Sequence, residues 1–457
     1  MTVHLAVDRI PPRMRILAAY LSILACTAAV SCATAGPPVE TDVADGIRAG
    51  TGASMRFDAQ TPGLPAGVRV DDGLSREEAV AIAMWNNAAF QVSVSQLGFA
   101  RADLVDAGMI SNPVLSLLFP VGPKQLEATL RWPVEVLWER PRRVSAATLS
   151  LEAAAQGLVQ SGLNLAMSVR IAYTDLALAV ERQSLANDAA AILQRIDTLT
   201  QSRLAAGDIA ELDARAARVD AVRAAQDAER AVHDLTIARA RLRRLMGLPA
   251  DDVSVNTLQD SAAVESCGSV AELLKRALAA RPDLRAAEIA VEAAAARLGW
   301  EKSRVLALTA VLDANGEGTE GFEMGPGIDV GIPIFNRNQG GRLRARTELQ
   351  RASAAYVHLQ QQVGLDVREA SAQFEQARQS RLAWGDRIVT PLRANLADAE
   401  KSYAAGESSY LFVLENSRRL IEARVREREI AADERRAQAR IERAAGLGCN
   451  AVGGGTR

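Results

Sequence analysis

Aromatic residues are scarce in this chain of 457 residues, where Phe, Trp and Tyr together make up 4 %. Cysteine occurs four times and histidine three times. A composition poor in aromatic rings and rich in Ala, Leu, Arg and Glu suits long helices that pack through small side chains. The formal net charge of −2 gives no indication of the concentrated basic face that nucleic-acid binding needs.

Motifs of catalysis and cofactor binding are also missing. The sequence has no Gly-rich phosphate loop and no nucleophile elbow, which argues against an enzyme. His233 and His358 stand alone, and no His, Cys, Asp or Glu set has metal-ligand spacing. We therefore expect no catalytic residue, no cofactor and no metal site. No apolar run after the N-terminus reaches ~18 residues, so no transmembrane helix is predicted in the mature chain.

The N-terminus has the pattern of an export signal, predicted to span residues 1–31. Arg13 and Arg15 precede an apolar segment, residues 16–25, that is too short to span a bilayer. Small residues precede both Cys26 and Cys32, as in the box that marks the acylated cysteine of a bacterial lipoprotein. We favour Cys32 as the acylated residue. Cys26 and an ordinary signal peptide with incidental cysteines are the alternatives.

Two cysteines, Cys267 and Cys449, remain after this signal. An exported protein meets an oxidising compartment, so the two thiols are candidates for a disulfide bond. Two unpaired thiols are the alternative.

One five-residue pattern occurs twice. Leu204-Ala205-Ala206-Gly207-Asp208 and Tyr403-Ala404-Ala405-Gly406-Glu407 each interrupt a long helical tract, and their glycines are 199 positions apart. Such repetition predicts a tandem duplication. The predicted divisions are an extended linker (32–73), a first repeat (74–249), a second linker (250–269), a second repeat (270–447) and a disordered tail (448–457).

Each repeat reads as helix, β-hairpin, long helix, turn and long helix. Ser75 and Glu78 have the spacing of a capping box at the start of the first helix. Residues 125–132 alternate strictly between polar and apolar, which is typical of a strand with two different faces. Strands are expected at about 114–121, 125–132, 306–315 and 328–334. Residues 142–248 contain no proline, whereas Pro391 predicts a bend in the second long helix.

The alternation also predicts which side chains face lipid. The apolar positions of the two hairpins are Leu126, Ala128, Leu130, Trp132, Leu306, Leu308, Ala310 and Leu312. Four strands cannot close a barrel, and open edges are not tolerated in a membrane. Three chains give twelve strands. The predicted fold is mainly α with a small β part, a trimeric 12-stranded β-barrel continuous with an α-helical cylinder.

These motifs together resemble the TolC-like outer-membrane efflux proteins over roughly residues 74–447. The resemblance lies in the helix opening at residues 74–79 with Asn86-Asn87, the strand entry at Asn112-Pro113, both Ala-Ala-Gly-acid turns, and the close of the first half at Leu242 to Pro249. Residues 299–302 and 332–340 are similar to the heavy-metal (cobalt–zinc–cadmium) branch. The resemblance implies a homotrimer in outer-membrane lipid, working with a periplasmic adaptor and an inner-membrane proton-driven transporter.

The resemblance also implies roles for particular residues. The two turns are expected at the periplasmic tip, where they meet the adaptor through Arg203, Leu204, Gly207, Asp208, Tyr403, Gly406 and Glu407. Acidic residues ring the closed entrance of similar channels, and Glu415 matches one such position. Phe412 occupies the other, so a ring of Glu415 with an apolar plug of Phe412 or Leu411 replaces a double acidic ring. A solvated Glu415 is the alternative.

The sequence therefore predicts a passive, gated exit duct in the outer membrane, extending into the periplasm and held by a lipid anchor, with heavy-metal cations as the cargo. One alternative is a periplasmic adaptor, which also carries an α-hairpin. The other is the same channel serving drug efflux or type I secretion.

Overall fold

The computed structural model describes residues 39–57, 63–69, 73–119, 121, 126–248, 268–316 and 322–446. The chain divides into two compact units. The first contains Leu97–Ala154 and Ala287–Tyr356, and the second contains Glu40–Gln96, Ala155–Ala286 and Val357–Arg457. Each unit draws residues from both halves of the chain, so the two repeats contribute to both.

Helices make up most of the described residues. The first half consists of α1 (Val39–Thr51), α2 (Arg76–Asn86), α3 (Ala88–Gly108), β1 (Val114–Leu118), β2 (Leu126–Pro133), α4 (Val136–Ala205) and α5 (Glu211–Met246). The second half consists of α6 (Val270–Ala280), α7 (Pro282–Ser303), β3 (Ala307–Gly316), β4 (Phe322–Gly331), α8 (Gln339–Trp384), a π-helical turn (Gly385–Val389), α9 (Thr390–Ala404) and α10 (Tyr410–Ala445). From α2 onward the same order of elements occurs twice.

Capping boxes begin both repeats. The Ser75 hydroxyl accepts a hydrogen bond from the Glu78 amide at 3.2 Å, and the Glu78 carboxylate accepts one from the Ser75 amide at 2.9 Å. Ser269 and Glu272 form the same reciprocal pair at the start of α6. Each box satisfies backbone donors that the first helical turn leaves without partners, and it therefore fixes where the helix starts.

Glycines with left-handed backbone conformations end α5 and α10, the last helix of each repeat. Gly247 has φ 65° and Gly446 has φ 78°. A β-carbon on Gly247 would lie 2.2 Å from the carbonyl oxygen of Asn86, and one on Gly446 would lie 3.4 Å from the Cα of Arg281. The C-terminal ends of α5 and α10 thus each pack against the junction between the first two helices of the same repeat. At Gly247 only glycine fits.

The segment predicted as an extended linker, residues 32–73, contains a helix. α1 packs against α4 through glycines, because a β-carbon on Gly50 would lie 2.5 Å from the Leu163 side chain and one on Gly162 would lie 3.1 Å from Ile47. Ile47 is fully buried. The prediction of a wholly extended linker is therefore wrong for residues 39–51, where the glycines serve close helix packing.

A buried ion-pair network joins elements of the second repeat. The Arg281 side chain is fully buried and donates hydrogen bonds to Asp283 and to Asp366, the latter at 3.0 Å. Arg443 donates a second one to Asp366 at 2.6 Å. Burial alone raises the pKa of Asp366, but the hydrogen bonds and charges of the two arginines outweigh burial and hold the pKa below its usual value.

A π-helical turn precedes Pro391, in the part of the helix where a bend was predicted. Gly385–Val389 precedes α9, and Pro391 stands in the first turn of α9, where a missing amide donor costs little. Trp384 fixes the approach to this turn, since its indole nitrogen donates to the Ala423 carbonyl at 3.0 Å.

One described helix, α4, is long enough and locally apolar enough to cross a membrane by length and composition. This differs from the prediction of no such helix after the N-terminus. Half of the apolar window is buried within the protein's own fold, and a core helix of a soluble protein has the same property. The finding alone does not identify a transmembrane helix.

Candidate functional site

The first helix reversal is a Schellman turn. Gly207 has φ 81°, its amide donates to the Leu204 carbonyl at 3.0 Å, and the Asp208 amide donates to the Arg203 carbonyl at 2.9 Å. These two bonds satisfy carbonyls that the end of α4 would otherwise leave open. Ala210 occupies the N-cap of α5 without a side-chain cap, so Asp208 does not cap this helix.

The second reversal repeats this geometry. Gly406 has φ 75°, its amide donates to the Tyr403 carbonyl at 3.0 Å, and the Glu407 amide donates to the Ser402 carbonyl at 2.9 Å. The Tyr403 ring also packs against the Tyr410 ring, with the centroids 5.3 Å apart. The shared five-residue pattern thus encodes one backbone turn at two places.

Most side chains predicted to meet a partner at these turns are accessible. Asp208 and Glu407 are exposed, and Tyr403 is 47 % exposed. Arg203 and Leu204 are partly buried. The first turn therefore offers mainly a carboxylate, whereas the second offers a carboxylate beside an aromatic pair.

The predicted gate residues lie in the first turns of α10. Phe412 is 52 % exposed, while Leu411 and Glu415 are partly buried. The Glu415 carboxylate accepts a hydrogen bond from Arg418 at 3.0 Å, and Arg418 also donates to Glu422 at 2.6 Å. Glu415 is thus one of two carboxylates that share an arginine.

This arrangement affects the charge of the gate segment. Partial burial alone lowers the pKa of Arg418, but its hydrogen bonds and charge contacts with Glu415 and Glu422 outweigh burial and leave its pKa above the usual value. Arg418 stays protonated, so this group of three side chains carries one net negative charge rather than two. The spacing of the three residues, three and then four positions apart on a helix, was readable from the sequence.

All four strands form one antiparallel sheet in the order β1-β2-β3-β4, with β1 and β4 at its edges. The first three strands have roughly the predicted bounds, although β1 ends at Leu118. β4 was expected at about 328–334 but runs from Phe322 to Gly331 and pairs with β3 along its whole length. The Gly- and Pro-rich residues before Ile328, which suggested a loop, are part of this strand.

The register gives the sheet one apolar face. Leu130 pairs with Leu115 on β1 and with Leu312 on β3, so the three leucines point to the same side. Seven of the eight positions predicted to face lipid fall on this side, and Leu306 precedes β3. The face comprises Leu115, Leu117, Leu126, Ala128, Leu130, Trp132, Leu308, Ala310, Leu312, Ala314, Met324, Pro326, Ile328 and Val330.

The opposite face is mostly polar and carries more acids than bases. The Thr129 hydroxyl donates to the Asp313 carboxylate at 2.7 Å, and Arg131 lies 3.8 Å from Asp329. Its polar residues are Ser116, Glu127, Thr129, Arg131, Thr309, Asp313, Asn315, Glu323 and Asp329. Four carboxylates against one arginine give this face a formal charge of −3 per chain.

Within the described ranges, no group of three or more His, Cys, Asp or Glu is placed to hold a metal ion. His233 and His358 are both exposed on long helices. Cys26, Cys32, Cys267 and Cys449 lie outside the described residues, and the predicted lipid attachment and disulfide bond therefore remain predictions.

The described residues combine duplicated long helices with one small, open, two-faced sheet. The sequence pattern of the outer membrane efflux protein family matches residues 122–248 and 273–447. The chain belongs to this family, whose members are channels of the outer membrane and not enzymes. This membership separates the chain from the periplasmic adaptors.

Individual relatives agree with this assignment. The chain is 26 % identical over 360 residues to the cobalt-zinc-cadmium resistance protein CzcC of Cupriavidus metallidurans, covering 77 % of this chain and 85 % of that protein. The fold is similar to crystal structures of CusC, with a TM-score of 0.66, 19 % identity and coverage of 87 % and 97 % of the two chains. The open state of the MtrE outer membrane channel of Neisseria gonorrhoeae gives a TM-score of 0.66, 20 % identity and coverage of 86 % and 95 %.

Proposed function

We propose that three copies of this chain close one β-barrel in the outer membrane. The observation that carries this proposal is the open four-stranded sheet, which has an apolar face, a polar face and two free edges, β1 and β4. Unpaired backbone groups at such edges are too costly in a bilayer. Pairing β4 of one copy with β1 of the next removes all edges, and three copies of four strands give twelve.

The long helices then form a periplasmic duct that continues the barrel. The duct is passive, and an inner-membrane proton-driven transporter supplies the energy. A periplasmic adaptor meets the two Schellman turns through the exposed Asp208, Tyr403 and Glu407. A lipid on Cys32 adds a second attachment to the membrane.

Heavy-metal cations are the cargo that the charges favour. The polar face of the sheet becomes the lining of the barrel, because the apolar face must contact lipid. Three copies of a face with charge −3 place nine net negative charges around the exit. Such a lining attracts cations, and the relative CzcC is a cobalt-zinc-cadmium resistance protein.

The gate lies near the second turn. Threefold symmetry brings three copies of Glu415 and Phe412 towards one axis. Arg418 shares its charge between Glu415 and Glu422 in each chain, so the carboxylates at the axis are held in place by a neighbouring cation. Phe412 adds an apolar constriction one helical turn earlier.

Planar-bilayer recording of the purified full chain tests this function, together with native mass spectrometry of the assembly. We expect a trimer that passes cations better than anions. Replacing two lining carboxylates, as in the double variant Glu323→Gln with Asp329→Asn, removes six negative charges from the trimer and lowers the cation preference. Glu77→Gln, at an exposed carboxylate outside the sheet, removes three charges from the trimer and is the control for neutralising a carboxylate elsewhere.

Three results would contradict the proposal. A monomer in mild detergent would rule out the shared barrel. An anion-selective channel would rule out a cation duct. A double variant with the cation preference of the wild type would show that the polar face does not line the pore.

A further inference from the structure

The chain that leaves β4 exposes large apolar side chains. Ile332, Ile334 and Phe335 are 75, 62 and 91 % exposed. We name residues 332–342 the Phe335 loop. It follows β4 and contains the start of α8, at the end of the sheet where the strands connect to the helices. An isolated exposed apolar residue is common in proteins, but three within four positions indicate a contact surface.

The exposure of Phe335 is built into the loop. Asn338 has φ 57°, in the left-handed region, and its side-chain amide donates to the backbone carbonyl of Glu301 at 2.9 Å and to the Glu301 carboxylate at 2.6 Å. Glu301 itself is 7 % exposed. The Gln339 side chain donates to the Phe335 carbonyl at 3.0 Å. These bonds fix the backbone of the loop in a conformation that leaves the Phe335 ring exposed to solvent.

Exposed apolar side chains lie on both sides of the end of β4. Ile328 and Val330 lie on the apolar face within β4, and they are 69 and 51 % exposed. Ile332 directly follows the last paired residue, Gly331, and the chain then turns, with the Ile334 amide donating to the Ile332 carbonyl at 2.9 Å. The loop therefore adds large apolar side chains next to the end of the apolar face.

Four exposed arginines follow these apolar residues in the sequence, in the loop and in the first turns of α8. Arg337 donates from Nε to the Pro333 carbonyl at 3.1 Å. Among the described residues, neither terminal nitrogen of its guanidinium has a hydrogen-bond partner. Arg342, Arg344 and Arg346 are exposed on the first turns of α8. A guanidinium fork matches the oxygens of a phosphate group.

The first repeat has a related arrangement after β2. Leu137 and Trp138 are 54 and 38 % exposed, and Arg142 is exposed shortly after them. Both hairpins are thus followed by apolar and aromatic side chains and then by an exposed arginine. This repetition argues that the pattern belongs to the end of the barrel and not to one accidental loop.

We propose that the Phe335 loop binds phospholipid where the barrel meets the helical part, with its ring and isoleucines among acyl chains and Arg337 on the headgroup phosphate. The proposal rests on the proposed function, since it needs the apolar face in a membrane. Aromatic residues gather at membrane interfaces in barrels, and basic residues near an anionic surface add attraction. Residues 137–142 form the corresponding contact of the first repeat.

Native mass spectrometry of the detergent-solubilised full chain, titrated with palmitoyl-oleoyl phosphatidylglycerol, tests the proposal. We expect Arg337→Gln to weaken lipid retention about fivefold, which corresponds to ~1 kcal/mol for one basic residue near an anionic surface. Phe335→Ser should weaken it by more than tenfold, since burying a large apolar side chain contributes ~1.5–3 kcal/mol. Arg351→Gln, at an exposed arginine farther along α8, is the control and should leave retention unchanged.

Each contrary result identifies a different error. Wild-type retention in both loop variants would overturn the lipid contact. Displacement of the lipid by inorganic phosphate would show a site for free anions. Dissociation of the assembly by Phe335→Ser in lipid-free detergent would mean that a second copy covers the ring. Bilayer conductance of the same preparations separates these errors from failure of the channel proposal, because conductance should persist in all of the variants.

Discussion

Leu130→Arg should prevent assembly, because Leu130 lies at the centre of the apolar face. It is paired with Leu115 on one side and Leu312 on the other. An arginine facing lipid near the bilayer midplane costs ~2–4 kcal/mol. Three symmetry-related copies raise the cost to ~6–12 kcal/mol for the assembly on the same basis. That is comparable to the whole stability of a typical domain.

The adjacent Thr129→Arg is the matched control, since it places the same side chain on the polar face. The substitution removes the hydrogen bond from Thr129 to Asp313, which is worth ~1 kcal/mol. The new guanidinium would lie beside the Asp313 carboxylate and offset part of that loss. We therefore expect Thr129→Arg to assemble nearly as the wild type does.

The measurement is the fraction of trimer that resists SDS without heating, taken from outer membranes that express equal amounts of each variant. Leu130→Arg should leave little or no resistant trimer, and Leu312→Arg, which alters the neighbouring position in register, should behave alike. Equal loss in Leu130→Arg and Thr129→Arg would refute the assignment of the two faces. Loss of the resistant trimer in Thr129→Arg alone would mean that the face carrying Thr129, and not the face carrying Leu130, contacts lipid.

Gly207→Ala should lower the free energy of unfolding by ~1–2 kcal/mol, because Gly207 has a positive φ but nothing lies within 4 Å of a β-carbon there. Gly247→Ala should lower it by clearly more, because it adds to the same strain a β-carbon 2.2 Å from the Asn86 carbonyl oxygen. A larger loss in Gly207→Ala would contradict this comparison. The pKa of Asp366 is lower in the folded than in the unfolded protein, so ionised Asp366 stabilises the fold at pH values above its unfolded pKa. This stabilisation is lost as the pH falls through the folded pKa. Asp366→Asn should therefore flatten the dependence of unfolding on acid below about pH 4. Unfolding curves that respond to acid as the wild type does would contradict that role. Glu415→Ala should weaken cation selectivity and block by multivalent cations in planar bilayers. Unchanged selectivity and block would mean that Glu415 is a solvated helix residue and that the gate lies elsewhere.

Much of the fold could be predicted because its signals are local. The Ser75 capping box, the alternation of β2 and the turn glycines each act within a few residues. The second capping box, Ser269 with Glu272, was missed even though its spacing is the same. Its signal was present in the sequence, and comparison with Ser75 would have found it.

The missed elements depend on contacts that are distant in sequence. Gly46 and Gly50 suggested a linker, but they allow α1 to approach Val159 and Leu163 on α4. Pro326 suggested a loop, yet it lies within β4, opposite Leu312 of β3. A single sequence does not indicate which strand pairs with a segment that contains a proline or which helix lies beside a glycine.

The predicted gate could likewise be identified from the sequence only in part. Phe412 and Glu415 were identified through resemblance, but the role of Arg418 was not. The arginine changes the chemistry of the segment, because it balances one of two carboxylates. The spacing of Glu415, Arg418 and Glu422 permits the pairing. The partial burial of Arg418, which affects the strength of that pairing, is visible only in the structure.

The π-helical turn before Pro391 has a consequence for evolution by insertion and deletion. A π-helical turn accommodates one residue more than an α-helix of the same rise, so Gly385–Val389 marks a site where the helix has absorbed an extra residue. Deleting one residue there would restore a regular α-helix and leave α9 in the same rotational phase relative to α8. A one-residue deletion within the regular part of α9 would instead turn everything after it, including the second tip, by ~100°.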